Sequence, residues 1–344
     1  MIDIRRAAAD ETGMVMEFID RHWSRGHALA TSRQLMLWQH GAPDGSLDYL
    51  IALRDRQVLG VLGYIATRRF DPALIHHNVI WLALWKVIED CGVAGLGLRM
   101  LHTLNQIEPH CAIAVNGINA ALLPLYRGLR YQVAELRQFY MVNDAQPARL
   151  ISNGSDRKAP LPVGGGTEWS AMDQQQLAAM QPGLINAQAV ALKSPQYFLH
   201  RFLLHPMYRY QVFLATGENH GPALFALRVA RHGHACALRI VDFCGDPAAI
   251  AGSGAALKKC MVQEGAEYAD FWQMGLDEQN LLQAGFAPVD PQGPVIVPNY
   301  FEPFVVSNAR IWCAMRKNYP LAPDAIICRA DGDQDRPNVI HECR

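Results

Sequence analysis

The sequence predicts an α/β (α+β) protein made of two similar units, each a mixed central sheet flanked by helices. Three observations lead there. The chain has 344 residues, roughly two domains where about 100–200 residues make one. Runs of β-branched and aromatic residues alternate with segments whose apolar residues recur at helical spacing. Between Ala145 and Thr167 lie Ser152-Asn153-Gly154-Ser155, two prolines around Leu161 and Gly164-Gly165-Gly166, a composition expected of an exposed linker. The order of elements before this break recurs after it. The expected partition is a first unit over 1–144, a linker over 145–167, a second unit over 168–318 and a tail over 319–344.

In the first unit Ile2–Arg5 reads as a short strand. Thr12–His22 reads as a helix, with Met14, Met16, Phe18 and Ile19 at helical spacing. Leu47–Arg54 and Gln57–Arg68 are strand-like and separated by Asp55-Arg56 in a hairpin position. Val79–Val87 is a strand, followed by a glycine-containing turn over Cys91–Gly97 and a helix over Leu98–Ile107. A strand at Cys111–Val115, a turn at Asn116–Asn119, a helix at Ala120–Leu129 and a strand at Gln132–Val142 complete the unit. In the second unit a helix is expected at about Met172–Met180, and strands at Tyr210–Thr216, Ala223–Arg231 and His234–Phe243. A helix follows at Pro247–Glu264, a strand at Tyr268–Met274 and a short helix at Asp277–Ala284. Strands are expected last near Val295–Val297 and Arg310–Met315.

Composition narrows the function. Lys and Arg total 31 against 32 Asp and Glu, leaving a net charge of -1, which removes the bulk electrostatic case for nucleic acid or an anionic membrane. The apolar run Val79–Val87 carries Lys86 and is about half of what a spanning helix needs. The first residues, MIDIRRAAADETG, contain no apolar core of a secretory signal. A soluble cytoplasmic protein is expected. The 8 cysteines are scattered without a CxxC pair, the usage of small buried hydrophobes in a reducing compartment. His76-His77, His232 and His234 are the close histidine sets, and none has a third ligand at a fitting spacing, so no metal site is expected. Asp331-Gly332-Asp333-Gln334-Asp335, with Glu342, spaces its acids as a calcium loop does. Arg336 stands where such a loop needs glycine, so an acidic tail is expected instead.

The chemistry-bearing segment is Gly92-Val93-Ala94-Gly95-Leu96-Gly97-Leu98, between a strand and a helix. Glycines 95 and 97 free the backbone to turn amides toward a ligand, and the next helix adds its positive N-terminal end, so a pyrophosphate would fit. Downstream comes Asn119-Ala120-Ala121-Leu122-Leu123-Pro124-Leu125-Tyr126-Arg127-Gly128-Leu129-Arg130-Tyr131. In this order, over about Ile2 to Val142, the two segments resemble the GNAT acyltransferase superfamily, so the expected fold becomes two tandem GNAT-like domains. Gly92 stands where that family usually has Arg or Gln, and Arg130-Tyr131 replaces Gly-Phe.

The resemblance implies an acetyl-CoA site in the first unit. Backbone near Val87 would pair with the pantetheine arm, amides of Val93, Ala94, Gly95, Leu96, Gly97 and Leu98 would hold the pyrophosphate, and Asn119 would lie beside the arm. Tyr126 would be the general acid for the departing thiolate, a task that suits a phenol. The Val79–Val87 strand has no carboxylate where many members place a Glu, and His76, His77 and Lys86 are the nearby groups for a base. Asn119 also reads as an ordinary helix N-cap.

The second unit looks like a GNAT domain without its chemistry. Gly252-Ser253-Gly254 falls within a helix that begins at Asp246-Pro247, and Leu281 stands in place of the tyrosine in Leu281-Leu282-Gln283-Ala284-Gly285-Phe286. The run Ser194 to Tyr210 resembles a segment of tandem-GNAT proteins encoded with bacterial surface-polysaccharide pathways. Arg201 is expected to grip a phosphate or carboxylate of an acceptor, with Asp242 and Trp272 as further acceptor-side residues. The expectation is an acyl-CoA-dependent N-acetyltransferase acting on a small-molecule amine such as an amino sugar or nucleotide-sugar. A Fem-type aminoacyl or peptidyl transferase and a non-catalytic interaction protein are the rivals. The sequence specifies no oligomeric state.

Overall fold

The computed structural model describes residues 2–152, 165–181, 191–318 and 325–338. In the N-terminal half, β1 (Asp3–Arg6) leads to α1 (Thr12–His22), α2 (Ala28–Thr31) and α3 (Arg33–His40). The hairpin β2 (Tyr49–Arg54) and β3 (Gln57–Ala66) follows, then β4 (Val79–Val87), α4 (Leu96–Ile107) and β5 (Ala112–Ile118). Next come α5 (Leu123–Gly128) and β6 (Gln132–Val142). The C-terminal half runs β7 (Thr167–Met172), α6 (Gln174–Ala179), α7 (Pro195–Phe198), β8 (Tyr210–Gly217), β9 (His220–His232) and β10 (Ala235–Gly245). It ends with α8 (Ala248–Gly252), α9 (Gly254–Glu264), β11 (Tyr268–Met274), α10 (Glu278–Gln283), β12 (Ala287–Pro288), β13 (Ile311–Lys317) and β14 (Ile327–Cys328).

Local chemistry accounts for the boundaries. Asp55 and Arg56 have φ of 51° and 65°, the left-handed pair that matches the twist of a two-residue hairpin. The hydroxyl of Ser32 accepts from Leu35 N to start α3, and Asp277 accepts from Gln279 N to start α10. The helix expected over Pro247–Glu264 is interrupted at Ser253, where a Cβ on Gly252 would run into the Thr167 hydroxyl. The strand expected at Val295–Val297 is reduced to one bridge, Ile296 to Ser152, as suits a stretch set among Pro291, Pro294 and Pro298.

The strands form one continuous sheet in the order β1-β2-β3-β4-β5-β13-β6-β11-β10-β9-β8-β7, with β12 on β6 and β14 on β11. The two halves interlock in it. β13 comes from the C-terminal half yet lies between β5 and β6, with Ala314 opposite both Val115 and Val133. β6 then serves both sides: Gln132–Leu136 pair with β13, and Arg137–Val142 pair with β11. The linker expectation is corrected at its start. Arg149, Leu150 and Ile151 donate their amides to the Glu267 carboxylate at 2.8–2.9 Å, and Leu150 and Ile151 are buried; residues 153–164 lie outside the described ones.

Two apolar layers cover the N-terminal half of the sheet. Ile80, Leu82, Ile113 and Val115 face α4 and α5, whose Leu96, Met100, Leu101, Leu104, Leu123 and Tyr126 pack on them. On the other face Val79, Trp81, Ala112 and Ala114 share a cluster with Tyr197, Phe198, Phe202, Leu136 and Trp272. Among the described residues no helix is long and apolar enough to cross a membrane.

Candidate active site

β4 and β5 run parallel but pair only over Val79–Leu82 and Ala112–Val115. Beyond that, β4 continues to Val87 and β5 to Ile118 without bonding each other, so a wedge opens between them. An irregularity in the β3–β4 pairing between Leu62 and Tyr64 bends β4 where the wedge begins. The loop at its mouth is built on positive φ at Asp90 (58°), Gly92 (70°) and Gly95 (67°), and α4 starts immediately after. No side chain caps that helix, so its first amides, which have no partner within the helix, are left for a ligand. The glycines have different tasks. Gly95 supplies a left-handed turn in open space, whereas a Cβ on Gly97 would stand 3.1 Å from Trp85 Nε1.

The loop bounds a groove of about 780 Å3 lined by Trp85, Val87, Ile88, Asp90–Leu98 and Leu125. Val87, Val93, Ala94, Gly95, Leu96, Gly97 and Leu98, all expected from sequence, are brought together here. The one charged residue in the lining is Asp90, so a bound anion would be held by amides and the helix end and not by a cation. Asn119 does not line the groove; it is exposed, and its Oδ1 accepts from Ala121 N at 3.0 Å. Tyr126 is buried in the α4–α5 layer beside Leu125 and meets Tyr131 edge-on, with 5.3 Å between ring centroids. Burial raises the phenol pKa of Tyr126, which keeps its proton in place at neutral pH. Of the groups near β4, Lys86 is paired with Glu89 at 3.1 Å, and His76 and His77 are exposed.

On the opposite face, the turn after β14 presses on β5. The side-chain amide of Asn116 donates to Cys328 O at 3.2 Å and Asp331 O at 3.0 Å, and Gln334 Nε2 donates back to Asn116 O. The acidic tail is therefore corrected to a buried turn over its described part. Asp331, Asp333 and Asp335 are buried; Asp335 pairs with Arg228 (2.7 Å) and Arg329 (3.1 Å) and accepts from the Tyr210 hydroxyl. Glu342 lies outside the described residues.

Two acceptor-side expectations are corrected by the same turn. Arg201 is buried, donates to Ala330 O and Gly332 O, and lies over the rings of Trp38 and Phe70. Its guanidinium holds the chain's own carbonyls. Asp242 accepts from Lys193, whose ammonium also donates to Asp331 at 2.9 Å. Asp242 and Asp331 are grouped with Cys328, and Lys193 supplies the positive charge among them. Trp272 is also buried and lines a separate cavity. Lys193, Asn116 and Gln334 were not singled out from sequence. The sequence pattern places Asn116 in a turn, whereas it lies inside β5, Ala112–Ile118.

The C-terminal half repeats the wedge and closes it. β10 and β11 pair in parallel over Ala237–Ile240 and Tyr268–Phe271, with an irregularity between Ile240 and Asp242. Past that point β14 joins β11 through Gln273–Cys328 and Met274–Ile327, and Ala330 N donates to Val241 O at 2.8 Å. The chain's own C-terminal segment thus occupies the second wedge. Leu281 is fully buried where the resemblance would place an acid.

No family model matches the sequence, and no curated protein matches it. Solved structures do. A probable N-acyltransferase of unknown function from Enterococcus faecalis superposes with a TM-score of 0.55 at 9% identity, over 92% of this chain and 73% of the other. A GCN5-related N-acetyltransferase from Anabaena variabilis gives 0.54 at 10% identity, over 92% and 73%. Another from Kribbella flavida gives 0.51 at 12%, over 92% and 71%. At these identities the likeness is one of architecture: the chain has the fold of the GCN5-related N-acetyltransferases.

Proposed function

We propose that the chain is an acyl-CoA-dependent N-acyltransferase that moves the acetyl group of acetyl-CoA to an amine, with an amino sugar or its nucleotide conjugate as acceptor. The observation that carries this reading is the coincidence of an open strand wedge, a glycine loop and an uncapped helix N-terminus around one groove. Residues 1–144, with β13 inserted between β5 and β6, would form the catalytic unit, and the rest of residues 168–318 a second unit without chemistry. The filled second wedge and Leu281 support that division.

In this reading amides from Val93 to Leu98 hold the pyrophosphate, and the β4 edge near Val87 pairs with the pantetheine amides. The unprotonated amine attacks the thioester carbonyl. The C–N bond forms, the C–S bond breaks, Tyr126 gives its proton to the leaving thiolate, and the proton of the amine passes to water. Tyr126 then regains a proton from solvent. Burial keeps the phenol un-ionised, so the proton is present when the thiolate departs.

The test follows free thiol during incubation with acetyl-CoA and a panel of amines. Release that depends on an amine, and falls about 100-fold or more in Tyr126→Phe, is the expected result. Binding of acetyl-CoA without thiol release for any amine would overturn the transferase reading.

A further inference from the structure

We propose that the cavity at the junction of β6 and β11 is the seat of the acceptor, and that it selects an amine carrying a hydroxyl or primary amide without a phosphate. This rests on the transferase reading and narrows its acceptor to the free amino sugar, leaving out the nucleotide conjugate. The cavity, about 580 Å3, lies within the range of small-ligand sites. Its lining includes Arg137 and Gln138 of β6, Trp272 of β11, Asp290, and Ala309 and Arg310 just before β13.

Its position follows from strand register. Trp312 is opposite Ile118, the last residue of β5, and Ile311 is opposite Leu136. The start of β13 and the middle of β6 therefore lie at the same end of the sheet as the mouth of the β4–β5 wedge. Trp272, Leu136 and Ile311 belong to the apolar cluster of Trp81 and Ala114, on the face away from α4 and Tyr126. β6 is two strands from β5, about 10 Å at the usual strand spacing. The cavity thus lies at the wedge's end of the sheet, with its apolar floor on the face away from the α4 loop.

The chemistry of the floor sets the ligand class. Gln138 and Trp272 are direct register partners on β6 and β11. Both are buried, and Gln138 Oε1 and Trp272 Nε1 have no hydrogen-bond partner. The amide orientation is set, because Gln138 Nε2 donates at 3.0 Å to Asp270, a carboxylate also gripped by Arg239. Buried polar atoms are almost always paired. One unpaired acceptor and one unpaired donor on facing residues match a group that does both, which a hydroxyl or a primary amide does and an ammonium alone does not.

The rim excludes anions. Arg310 is paired with Glu135 through contacts of 2.6 and 2.9 Å and lies over Trp312, while Arg137 is paired with Glu278. Both guanidiniums already have carboxylates. Asp290 has no cation paired with it in the described structure, its Oδ1 capping Gln292 N, and it favours an amine-bearing ligand over a phosphorylated one.

The test uses D-glucosamine as probe and cadaverine, an amine without hydroxyl or amide, as comparison. The variants are Ala309→Trp, which fills the cavity, and Trp272→Phe, which removes the indole N–H. In Ala309→Trp the KM for D-glucosamine should rise at least about tenfold, with acetyl-CoA affinity and the thermal midpoint unchanged. In Trp272→Phe it should rise by about tenfold, the scale of one lost hydrogen bond, with no change for cadaverine. An unchanged KM in Ala309→Trp, or wild-type use of cadaverine as efficient as that of D-glucosamine, would overturn the proposal. Should the protein prove not to bind acetyl-CoA, the transferase reading falls. Calorimetric titration of D-glucosamine into wild type and Ala309→Trp then decides on the cavity itself: binding lost in the variant supports it, and no binding to wild type refutes it.

Discussion

The amide of Ala330 donates to the carbonyl of Val241 at 2.8 Å, inside the wedge between β10 and β11. A backbone segment of the chain thereby makes in the C-terminal half the kind of bond that a pantetheine amide is proposed to make near Val87. With that edge taken, one donor should bind per chain. Equilibrium dialysis with labelled acetyl-CoA should saturate at one equivalent, and two equivalents would show that the C-terminal segment can be displaced.

Tyr126 and Tyr131 meet edge-on in the same apolar layer, and Tyr126 is the one proposed as the acid. Tyr126→Phe should lower kcat by about 100-fold or more while leaving the Kd for acetyl-CoA unchanged. Tyr131→Phe should change kcat by less than about threefold, since its phenol has no part in the transfer. Equal losses in the two variants would point to packing instead of proton donation.

The two loop glycines should respond differently to alanine. At Gly95 the added Cβ meets nothing but must adopt φ of 67°, which costs about 1 kcal/mol of stability. At Gly97 the Cβ presses on the Trp85 indole at 3.1–3.4 Å, so the indole must shift within the groove. Gly97→Ala should raise the Kd for acetyl-CoA and alter Trp fluorescence, while Gly95→Ala should mainly lower the urea midpoint.

Asp335 of the C-terminal turn and Asp242 of β10, both buried, should impose opposite pH dependences. Burial pushes Asp335 up, but Arg228 and Arg329 outweigh it and hold the carboxyl well below its usual 3.8. Its contribution is complete above that value and is lost as pH falls below it. Asp335→Asn should cost about 3–5 kcal/mol in urea unfolding at pH 7, because two buried guanidiniums lose their partner. Asp242 behaves in reverse. Burial raises it to about 6 against the pull of Lys193, and Asp331 adds to the rise. The native state then keeps this proton more readily than the unfolded chain, a contribution present below 3.8 and lost as pH rises through about 6. Relative to Asp242→Asn, wild type should gain stability as pH is lowered from about 7 to 5.

Elements with strong periodicity were legible to the residue. Thr12–His22, Val79–Val87, Gln132–Val142 and Tyr268–Met274 form with the expected bounds. The glycine groove was legible as well, since its residues lie in one short segment whose turn chemistry is local. Long-range relationships were not. The insertion of β13 between β5 and β6 depends on pairing across the whole chain, and strand pattern alone does not name a partner. The acids of Asp331–Asp335 read as an acidic tail because charges are usually exposed; their partners Lys193, Arg228 and Arg329 make burial tolerable and have no fixed sequence spacing from them. Arg201 was misplaced for the same reason: a cation among aromatics suits a ligand grip and a carbonyl clamp equally well in sequence.

Calorimetric titration of acetyl-CoA into the protein and into Gly95→Glu tests the central claim most directly. The variant puts a carboxylate at the start of α4, where the pyrophosphate is proposed to lie. Micromolar binding at one site is expected in wild type, with its loss in a variant that still unfolds cooperatively. Absence of binding to wild type, or equal affinity in the variant, would contradict it.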